Sequence, residues 1–333
     1  MTPYDVVGIG NALIDIQTRI DDERLAALGY AKGLMTLSST EEQQRLLEAL
    51  DTQSFETCSG GSAANTLHGL ATLGARAYHI GRVTDDAYGR LYAADMASRD
   101  VGFTGTQPGA TATGTSVVLI TPDAQRTMVT HLGSSTDLNP EDVDDAVTTG
   151  ARFAYVEGYL WTGDATREAA WRLARAARKQ NAGVAFTLSD GFIVDGFQDA
   201  IHAFLAEDVD VLFCNELEAR AMAGTAEEGA AFDHLLTLCP TVFMTRGAEG
   251  AWAGRRGEDR VSVRGYPVDA IDTTGAGDLF AAGAMKGLLD DRPLRDCAIL
   301  GCYCASQVIT QLGARLPDGV DHDVARVLAA YEE

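Results

Sequence analysis

Short apolar runs alternate with stretches of helical periodicity along most of the chain. The apolar runs predict strands at 6–10, 77–81, 115–120, 128–130, 153–156, 184–188, 209–213, 242–245 and 251–253. The amphipathic stretches predict helices at 63–73, 87–99, 165–180, 197–205, 216–223, 229–238, 276–289, 292–309 and 321–330. Apolar runs between helices are typical of buried parallel strands. The pattern therefore predicts an α/β fold with three layers, in which helices cover both faces of a doubly wound, mostly parallel sheet.

Two stretches depart from this rhythm. Residues from about 12 to 57 hold a polar helix at 40–50 with acidic residues in its first turn. Residues 102–136 are rich in Gly and Thr and predict short strands and turns. Neither a Pro/Ser-rich linker nor an internal repeat separates these stretches from the rest. We therefore expect a single domain over residues 1–333, with a small β-rich lid subdomain formed by about 12–57 and 102–136.

Composition changes this picture through what it excludes. Of the 333 residues, 46% are hydrophobic and 22% are charged, which is ordinary for a globular protein and rules out disorder as the main state. Lys and Arg number 26 against 48 Asp and Glu, so the formal net charge is −22. A field of that sign repels nucleic acid and anionic lipid, and we expect neither as a partner. Any anionic ligand must therefore be held by a local device that acts against the global charge.

The compartment is predicted from features that the sequence lacks. No run approaches the roughly 20 apolar residues of a membrane-spanning helix, and the first residues do not resemble the basic start of a signal peptide. The six cysteines are scattered without a C-x-x-C pair, which favours free, mostly buried thiols in a reducing compartment. We expect a cytoplasmic protein without a membrane partner, and the pattern leaves open whether it is a monomer or a homodimer.

The stretch 272–280 carries the sharpest chemical signal. Its small residues leave the backbone N–H groups of 275–278 bare at the start of an apolar helix, and such a helix N-terminus binds anions. Asp278 lies in the first helical turn, beside this anion site. A carboxylate there is either an ordinary helix-start residue or the general base for a hydroxyl nucleophile, and the spacing alone leaves both interpretations open.

A second glycine-rich turn, Ser59-Gly60-Gly61-Ser62, precedes another predicted helix. The paired glycines let the backbone approach a ligand closely. Asn65 lies one turn into the helix, where its amide can both donate to and accept from a hydroxyl-rich ligand. The alternative interpretation is a tight turn followed by a solvent-facing asparagine.

The first apolar run ends in two possible ligand-binding features, of which we discount one and keep the other. Gly8 and Gly10 resemble the start of a dinucleotide-binding loop, but Leu13 stands at the position of the third glycine, and we expect no NAD site. Asp15 ends the same run. An acid at the carboxyl end of a strand faces the ligand crevice of an open α/β sheet, where carboxylates bind sugar hydroxyls.

Three weaker signals follow later strands or fall within the predicted lid. They are Asn215 and Glu218 after one strand, Thr245, Gly247 and Gly250 in the turn after the next, and Arg126 in a turn of the lid. Taken singly, each is more typical of a helix cap, a backbone turn or a solvated arginine than of a site. The sequence contains no Walker loop, zinc-ligand spacing or nucleophile elbow.

Taken together and in this order, these motifs resemble those of the pfkB family, the ribokinase-like carbohydrate and nucleoside kinases. The resemblance extends from about residue 6 to residue 317 and is most specific at 272–280. It implies a ribokinase-like fold and an enzyme that transfers the γ-phosphate of ATP, with Mg²⁺, to a hydroxyl group of a small-molecule acceptor.

The resemblance also implies a role for each matching residue. The catalytic set comprises Asp278 as base, the amides of Gly275, Ala276 and Gly277 as anion hole, and Arg126 closing over the transferred phosphate. The acceptor-binding positions are Asp15, Gly60, Gly61, Ser62 and Asn65. The ATP-binding positions are Asn215, Thr245, Gly247, Gly250 and Thr274, with Glu218 organising Mg²⁺ through water. Many members enclose a monovalent cation such as K⁺ at the positions of Asp272, Thr274 and the loop 309–317.

Within the family, the likeness is strongest to adenosine kinases. It includes the helix at 40–50, the segment 125–128 and the segment 157–160. Tyr159 matches by position an aromatic residue that stacks on a nucleoside base, an interaction worth about 1–3 kcal/mol for any base. The resemblance therefore implies phosphorylation of the 5′-hydroxyl of a nucleoside, with adenosine first. A sugar kinase of the same fold, acting on ribose, fructose or a related sugar, and a non-catalytic ligand sensor stay open as alternatives.

Overall fold

The computed structural model describes residues 3–50, 55–107, 109 and 111–331. Its strands are β1 (Val6–Ile9), β2 (Leu13–Arg19), β3 (Met35–Leu37), β4 (Glu56–Gly60), β5 (Ala77–Ile80), β6 (Val83–Thr84), β7 (Gly102–Phe103), β8 (Thr106–Gln107), β9 (Thr113–Ile120), β10 (Arg126–Gly133), β11 (Phe153–Glu157), β12 (Gly183–Thr187), β13 (Val211–Asn215), β14 (Thr241–Thr245), β15 (Ala251–Arg255) and β16 (Val261–Val263). Its α-helices are α1 (Asp22–Leu28), α2 (Thr40–Ala49), α3 (Ser62–Thr72), α4 (Ala87–Ser98), α5 (Asp145–Thr148), α6 (Asp164–Lys179), α7 (Gly191–Glu207), α8 (Glu216–Ala223), α9 (Glu228–Leu238), α10 (Ala276–Leu289), α11 (Leu294–Val308) and α12 (Val324–Ala329).

A nine-stranded sheet forms the centre of the fold. Its strand order is β16-β15-β14-β13-β12-β11-β1-β5-β7. The pairs from β7 to β14 are parallel, and β15 and β16 continue the sheet in antiparallel fashion. The predicted mostly parallel, doubly wound sheet is confirmed. Because strands β1, β11, β12, β13 and β14 are parallel neighbours, their carboxyl ends meet at one edge.

Helices cover both faces of this sheet because successive side chains along each strand point to opposite sides. In β11, Tyr155 packs into one core with apolar residues of α3, α10 and α11, whereas Ala154 and Val156 pack into another with α6, α7, α8 and α9. The three predicted layers are therefore present. Helix α7 begins at Gly191, whereas the sequence pattern predicted a start at 197. The side chain of Asp190 caps the helix, and the predicted start coincides with a kink at Phe197.

A second sheet, here called the small sheet, has the strand order β3-β10-β9-β2-β4. One of its faces packs Ile16, Val117 and Val129 against Leu46 of α2. Its strands lie within the two stretches predicted for the lid, except that β4 continues to Gly60. Residues 51–54, 108 and 110 of these stretches fall outside the described part of the chain. The role of this sheet as a lid, and the single domain over 1–333, stay predictions.

Two further expectations concern sequence features outside the sheets. Within the residues that the structure describes, no helix is both long and apolar enough to cross a membrane. All six cysteines are free thiols, five of them buried and Cys58 partly buried.

Helices α10 and α11 pack unusually closely, and glycine makes this possible. A Cβ at Gly283 would lie 2.3 Å from the carbonyl oxygen of Leu300, and one at Gly287 would lie 2.8 Å from the Sγ of Cys297. Backbone atoms cannot move aside as a flexible side chain can. The position of α10, whose first turn holds the predicted anion site, therefore depends on the absence of a side chain at Gly283.

We predict that Gly283→Ala lowers the free energy of unfolding by about 1–3 kcal/mol, because the added methyl group forces two helices apart. Urea unfolding measures the loss. Gly196→Ala in α7 is the matched control, since its Cβ would meet no atom within 4 Å and alanine favours helix by about 0.5–1 kcal/mol. Equal effects of the two substitutions would contradict the packing argument.

Candidate active site

A cavity of about 480 Å³ lies between the carboxyl edge of the central sheet and the open face of the small sheet. The predicted site residues that line it are Asp15, Gly61, Ser62, Asn65, Arg126, Tyr159, Asn215, Glu218, Thr245, Gly247, Thr274, Gly275, Ala276, Gly277 and Asp278. The structure thus brings together residues from both sheets and from the starts of α3, α8 and α10. Gly60, Gly250 and Asp272 lie outside this lining and are considered separately.

The start of α10 forms the predicted anion site. Gly275 is the N-cap residue at φ 78°, and no side chain among the described residues caps the helix there. A Cβ at Gly275 would lie 2.5 Å from the Cβ of Ala314, so both the backbone angle and the close approach require glycine. The Ala276 N–H donates to the Thr273 carbonyl oxygen over 3.3 Å. The N–H groups of Gly275, Gly277 and Asp278 therefore stay available to an anion in the cavity, and the helix dipole favours negative charge at this point.

Asp278 lies half-buried in the first turn of α10, where two side chains of α3 hold its carboxylate. Ser62 Oγ donates to Oδ1 over 2.6 Å, and Asn65 Nδ2 donates to Oδ2 over 2.8 Å. Burial raises the pKa of Asp278, while these hydrogen bonds and the charges of Arg126 and Arg315 oppose the rise. An oriented carboxylate beside bare amides has the geometry of a base next to an oxyanion site.

Asp15 occupies a different element from the one that its sequence position predicted. The central strand β1 ends at Ile9, and Asp15 lies within β2 of the small sheet, where it is paired with Ser116. It reaches the cavity from the open face of that sheet rather than from the end of a central strand. Gly60 of the neighbouring strand makes room for it, since a Cβ there would lie 2.4 Å from Asp15 Oδ2.

Asp15 is 6% exposed, and burial raises its pKa to about 7. The positive charges of Arg315 and Arg126 lower this pKa, and the carboxylates of Asp272 and Asp278 raise it. An acceptor that brings hydroxyl groups to Asp15 supplies donors that favour the charged carboxylate.

Asn215 and Glu218 meet at the start of α8 in a capping box. Asn215 Oδ1 accepts from the Glu218 N–H over 2.8 Å, and Glu218 accepts in turn from the Asn215 N–H over 3.0 Å and from Nδ2 over 2.8 Å. Burial raises the pKa of Glu218 to about 8. Hard oxygen atoms that line the cavity with so little charge compensation fit Mg²⁺ bound together with phosphates.

The turn after β14 divides into a lining part and a structural part. Thr245 and Gly247 line the cavity, but Gly250 does not. Gly250 adopts φ 98°, and a Cβ there would lie 2.1 Å from the carbonyl oxygen of Val263. The glycine is thus required for the turn to pass close to β16, and its predicted contact with ATP stays a prediction.

Asp272 is buried in the loop that leads into α10, here called the α10 loop. Its Oδ1 accepts from the N–H of Thr274 over 2.9 Å and from its hydroxyl over 2.6 Å, while Oδ2 accepts from the Gly313 N–H over 2.9 Å. These bonds join the loop to residues 309–313, so the two segments predicted to enclose a monovalent cation are neighbours. The described residues contain no cluster of His, Cys, Asp and Glu side chains able to hold a metal ion by themselves.

Arg126 and Tyr159 reach the cavity from different sheets. Arg126 begins β10, with Nη1 3.4 Å from Met128 Sδ, and its charge opposes the rise in pKa of Asp15, Asp278 and Glu218. Tyr159 follows β11, and its hydroxyl donates to the carbonyl oxygen of Ser189 over 3.2 Å.

Glu157 is a site residue that no sequence motif marked as functional. Its side chain is fully buried at the end of β11, beside the cavity. It accepts from the Asn11 N–H over 2.7 Å, from Asn11 Nδ2 over 2.9 Å and from the Ala63 N–H over 2.8 Å. Glu157 thereby anchors the start of α3 to the end of β1. An acid at the end of an apolar strand was the signal that could have found it.

Arg315 is the second residue that sequence reasoning missed. Its guanidinium group is mostly buried behind Asn65, and it pairs with Asp95 of α4 through Nε at 3.2 Å and Nη2 at 3.0 Å. It also donates to Ser59 and to Asn65 Oδ1. Its partners are more than 200 residues away in sequence, so no local pattern reveals the network.

Comparison with known proteins decides the family. The model of the pfkB family carbohydrate kinases matches residues 22–319. The chain belongs to the pfkB family of carbohydrate kinases. The predicted ribokinase-like fold is confirmed, and the chain is a carbohydrate or nucleoside kinase.

Relatives of this pfkB kinase are similar over nearly its whole length. Adenosine kinase from Sinorhizobium meliloti is 36% identical with a TM-score of 0.94, and the match covers 99% of this chain and 100% of that one. A probable sugar kinase from Rhizobium etli CFN 42 is 34% identical with a TM-score of 0.94 and 99% coverage of both chains. Adenosine kinase 2 from Arabidopsis thaliana is 25% identical over 346 residues, covering 96% of this chain and 98% of the relative.

We predict that Glu157 makes the stability of this pfkB kinase depend on pH. Burial raises the pKa of Glu157 to about 7, above the 4.5 of a free glutamate, so the folded state binds more protons than the unfolded state between these values. The free energy of unfolding should therefore fall as pH rises from 5 to 7. Urea unfolding at several pH values should show a flatter profile for Glu157→Gln.

The control for this prediction is Glu168→Gln, which removes an exposed carboxylate of α6 and should leave the pH profile unchanged. In Glu157→Gln, the new amide retains one oxygen for three donors, so the substitution also lowers stability at every pH. Only a change in the slope against pH bears on the titration, and an unchanged slope would contradict it.

Proposed function

We propose that this kinase transfers the γ-phosphate of ATP to the 5′-hydroxyl of a nucleoside, with adenosine as the preferred acceptor. The observation that carries the proposal is the position of Asp278. Its carboxylate is held by Ser62 and Asn65, beside the free N–H groups of Gly275 and Gly277, in the lining of a cavity to which both sheets contribute.

The end of the cavity under the small sheet supports a nucleoside acceptor. The open face of this sheet combines one carboxylate with a mainly apolar surface, formed by Leu13, Asp15, Met35, Leu37, Ser116, Met128, Thr130 and Leu132. A bare sugar has hydroxyl groups on all sides and leaves such a surface unmatched, whereas a nucleoside carries a flat apolar base. Tyr159 lines the same cavity and supplies an aromatic ring for that base.

The other end supports a nucleotide. It is formed by the ends of β13 and β14 and the starts of α8 and α10, with Asn215, Glu218, Thr245 and Gly247 in the lining. When bound with ATP, Mg²⁺ neutralises phosphate charge, and the oxygens of Glu218 and Asn215 are the groups that would hold it, through water. Ligand crevices in open α/β sheets lie at this edge.

The chain's own residues account for the remaining steps. Asp15 and Asn65 bind the ribose hydroxyls and orient the acceptor. Asp278 accepts the proton of the 5′-hydroxyl as that oxygen attacks the γ-phosphorus in line. The free N–H groups of Gly275 and Gly277 and the guanidinium of Arg126 stabilise the charge that develops on the equatorial oxygens. Phosphoryl transfer depends mainly on positioning and charge stabilisation, so this set of groups is sufficient.

A contact between the two sheets supports a lid role for the small sheet. The hydroxyl of Thr273, in the α10 loop, donates to the carbonyl oxygen of Ala124 over 3.1 Å. Ala124 lies in the turn between β9 and β10, two residues before Arg126, so the contact ties the turn to the anion site. Closing the small sheet over an acceptor would exclude water and limit hydrolysis of ATP.

A panel of acceptors tests the nucleoside assignment. We predict that adenosine, guanosine, inosine or cytidine supports faster ADP formation than ribose or fructose, with adenosine first. Tyr159→Ala should raise KM for the preferred nucleoside about tenfold or more, because base stacking is worth about 1–3 kcal/mol. The same substitution should change KM for ribose or fructose little. Tyr159→Phe keeps the ring and is the control, and an equal effect of Tyr159→Ala on all acceptors would contradict the stacking role.

We predict that Asp278→Asn lowers kcat about 10²–10⁴-fold, because the amide cannot accept the proton. Thermal unfolding and calorimetric ATP binding should stay near the wild-type values. The control is Asp296→Asn, which removes a carboxylate from the first turn of the neighbouring helix α11, outside the cavity. Near-wild-type turnover of Asp278→Asn would leave Asp278 with only the helix-start role.

A further inference from the structure

Arg315 lies directly behind a residue that contacts the proposed base. All three nitrogen atoms of its guanidinium donate hydrogen bonds: Nε and Nη2 to Asp95 Oδ2, Nη2 to Ser59 Oγ, and Nη1 to Asn65 Oδ1 and the Ala314 carbonyl. Five hydrogen bonds match the five N–H groups of an arginine. The guanidinium is therefore held in one orientation, and a lysine cannot reproduce it.

This arrangement determines which way the amide of Asn65 points. A guanidinium only donates, so Asn65 must present its oxygen to Arg315. The carboxylate of Asp278 accepts, so Asn65 must present its NH₂ group on the other side, where the Nδ2–Oδ2 distance is 2.8 Å. The two charged neighbours thus agree on one rotamer of an amide whose two ends have nearly the same shape.

We propose that Arg315 is a positioning residue of the kinase reaction, which holds the Asn65 amide with its NH₂ group toward Asp278 and the acceptor. The inference rests on the proposed function, since it takes Asp278 as the base and Asn65 as an acceptor-binding residue. In this arrangement Asn65 donates to the acceptor and to Asp278 but does not accept from either. Asp95 and Ser59 contribute indirectly, because their side-chain oxygens hold the guanidinium of Arg315 in place.

The charge of Arg315 provides a second readout. The titratable and charged groups whose fields act at Asp278 come from β2, β10, β11, the segment after β11 and the loop after α11. They are Asp15, Arg126, Tyr155, Glu157, Tyr159 and Arg315. Burial raises the pKa of Asp278, and Arg315 is one of two cations that oppose the rise. Loss of this cation should therefore move the acidic limb of the pH–rate profile to higher pH.

Steady-state kinetics of Arg315→Met and Arg315→Lys test the proposal. We expect Arg315→Met to lower kcat about tenfold or more, with KM for ATP changed less than about twofold, because the ATP end of the cavity is untouched. Arg315→Lys should recover only part of kcat, since a lysine keeps the charge but not the fork of donors. Arg99→Met is the matched control: Arg99 lies at the end of α4 and pairs with the exposed Asp318, and its loss should leave kcat unchanged.

A double-mutant cycle decides whether Arg315 acts through Asn65. If it does, Arg315→Met should change kcat/KM for the acceptor less than about twofold in an Asn65→Ala background, because the amide to be oriented is gone. A loss as large as in the wild-type background would overturn the proposal, and so would an unshifted pH–rate profile in Arg315→Met. If Arg315→Met does not fold, Asp95→Asn weakens the same anchor and enters the same cycle.

The acceptor for these measurements is the one that the wild-type enzyme phosphorylates fastest in the panel. If a sugar is phosphorylated fastest, the nucleoside assignment is refuted, and the double-mutant cycle with that sugar still decides the role of Arg315. If no acceptor is phosphorylated, the kinase proposal fails by itself. Calorimetric binding of adenosine to the wild type, both single variants and the double variant then gives the cycle, and additive losses of affinity would overturn the positioning role.

Discussion

The structure depends on how four buried or half-buried carboxylates are held around one cavity between the two sheets. Asp15, Glu157, Glu218 and Asp278 all line one cavity, and burial raises the pKa of each. Four negative charges in one desolvated space are costly unless each has donors or a cation nearby. The fold supplies these donors and cations from distant parts of the chain. The kind of partner that each carboxylate has indicates what that carboxylate does.

The compensations fall into two kinds, namely hydrogen bonds from the backbone or from a helix cap, and side chains or charges that face the cavity. Glu157 accepts mainly from backbone N–H groups and so joins the start of α3 to the end of β1. Glu218 accepts from the N–H and the side-chain amide of Asn215 in its capping box. Asp278 is held by the side chains of Ser62 and Asn65, and the charges of Arg126 and Arg315 act on both Asp15 and Asp278. Groups held in this second way can exchange partners with a ligand without loss of the fold. The electrostatics therefore favour the same two residues as acceptor-binding group and base that the motifs indicate.

Sequence reasoning succeeded where the signal is local. The central strands, most helix starts and the glycine-rich N-terminus of α10 follow from apolar periodicity and small residues, which report on neighbours in the chain. It was wrong about the element that carries Asp15, because the turn between β1 and β2 separates two sheets without a Pro or a polar run to mark it. It missed the role of Arg315, since an arginine near the C-terminus shows nothing of its partners on α3 and α4. Burial and long-range pairing are properties of the fold, and a single sequence does not display them.

The net charge of −22 was the strongest argument against an anionic partner, and the site shows why it does not extend to a nucleotide. Exposed charges are screened beyond a Debye length of about 8 Å at physiological salt. A polymer that lies along the surface is therefore repelled by these charges, whereas a ligand inside a cavity is mostly shielded from them. Inside the cavity the relevant field comes from nearby groups: the amides at the start of α10 and Arg126 in the lining, and Arg315 behind Asn65. The four carboxylates reduce the positive potential of these amides and arginines. A ligand that binds together with Mg²⁺ adds the positive charge that this edge of the sheet lacks. An acidic protein and a phosphate-binding site are thus compatible, because short-range donors rather than the mean field determine what the cavity binds.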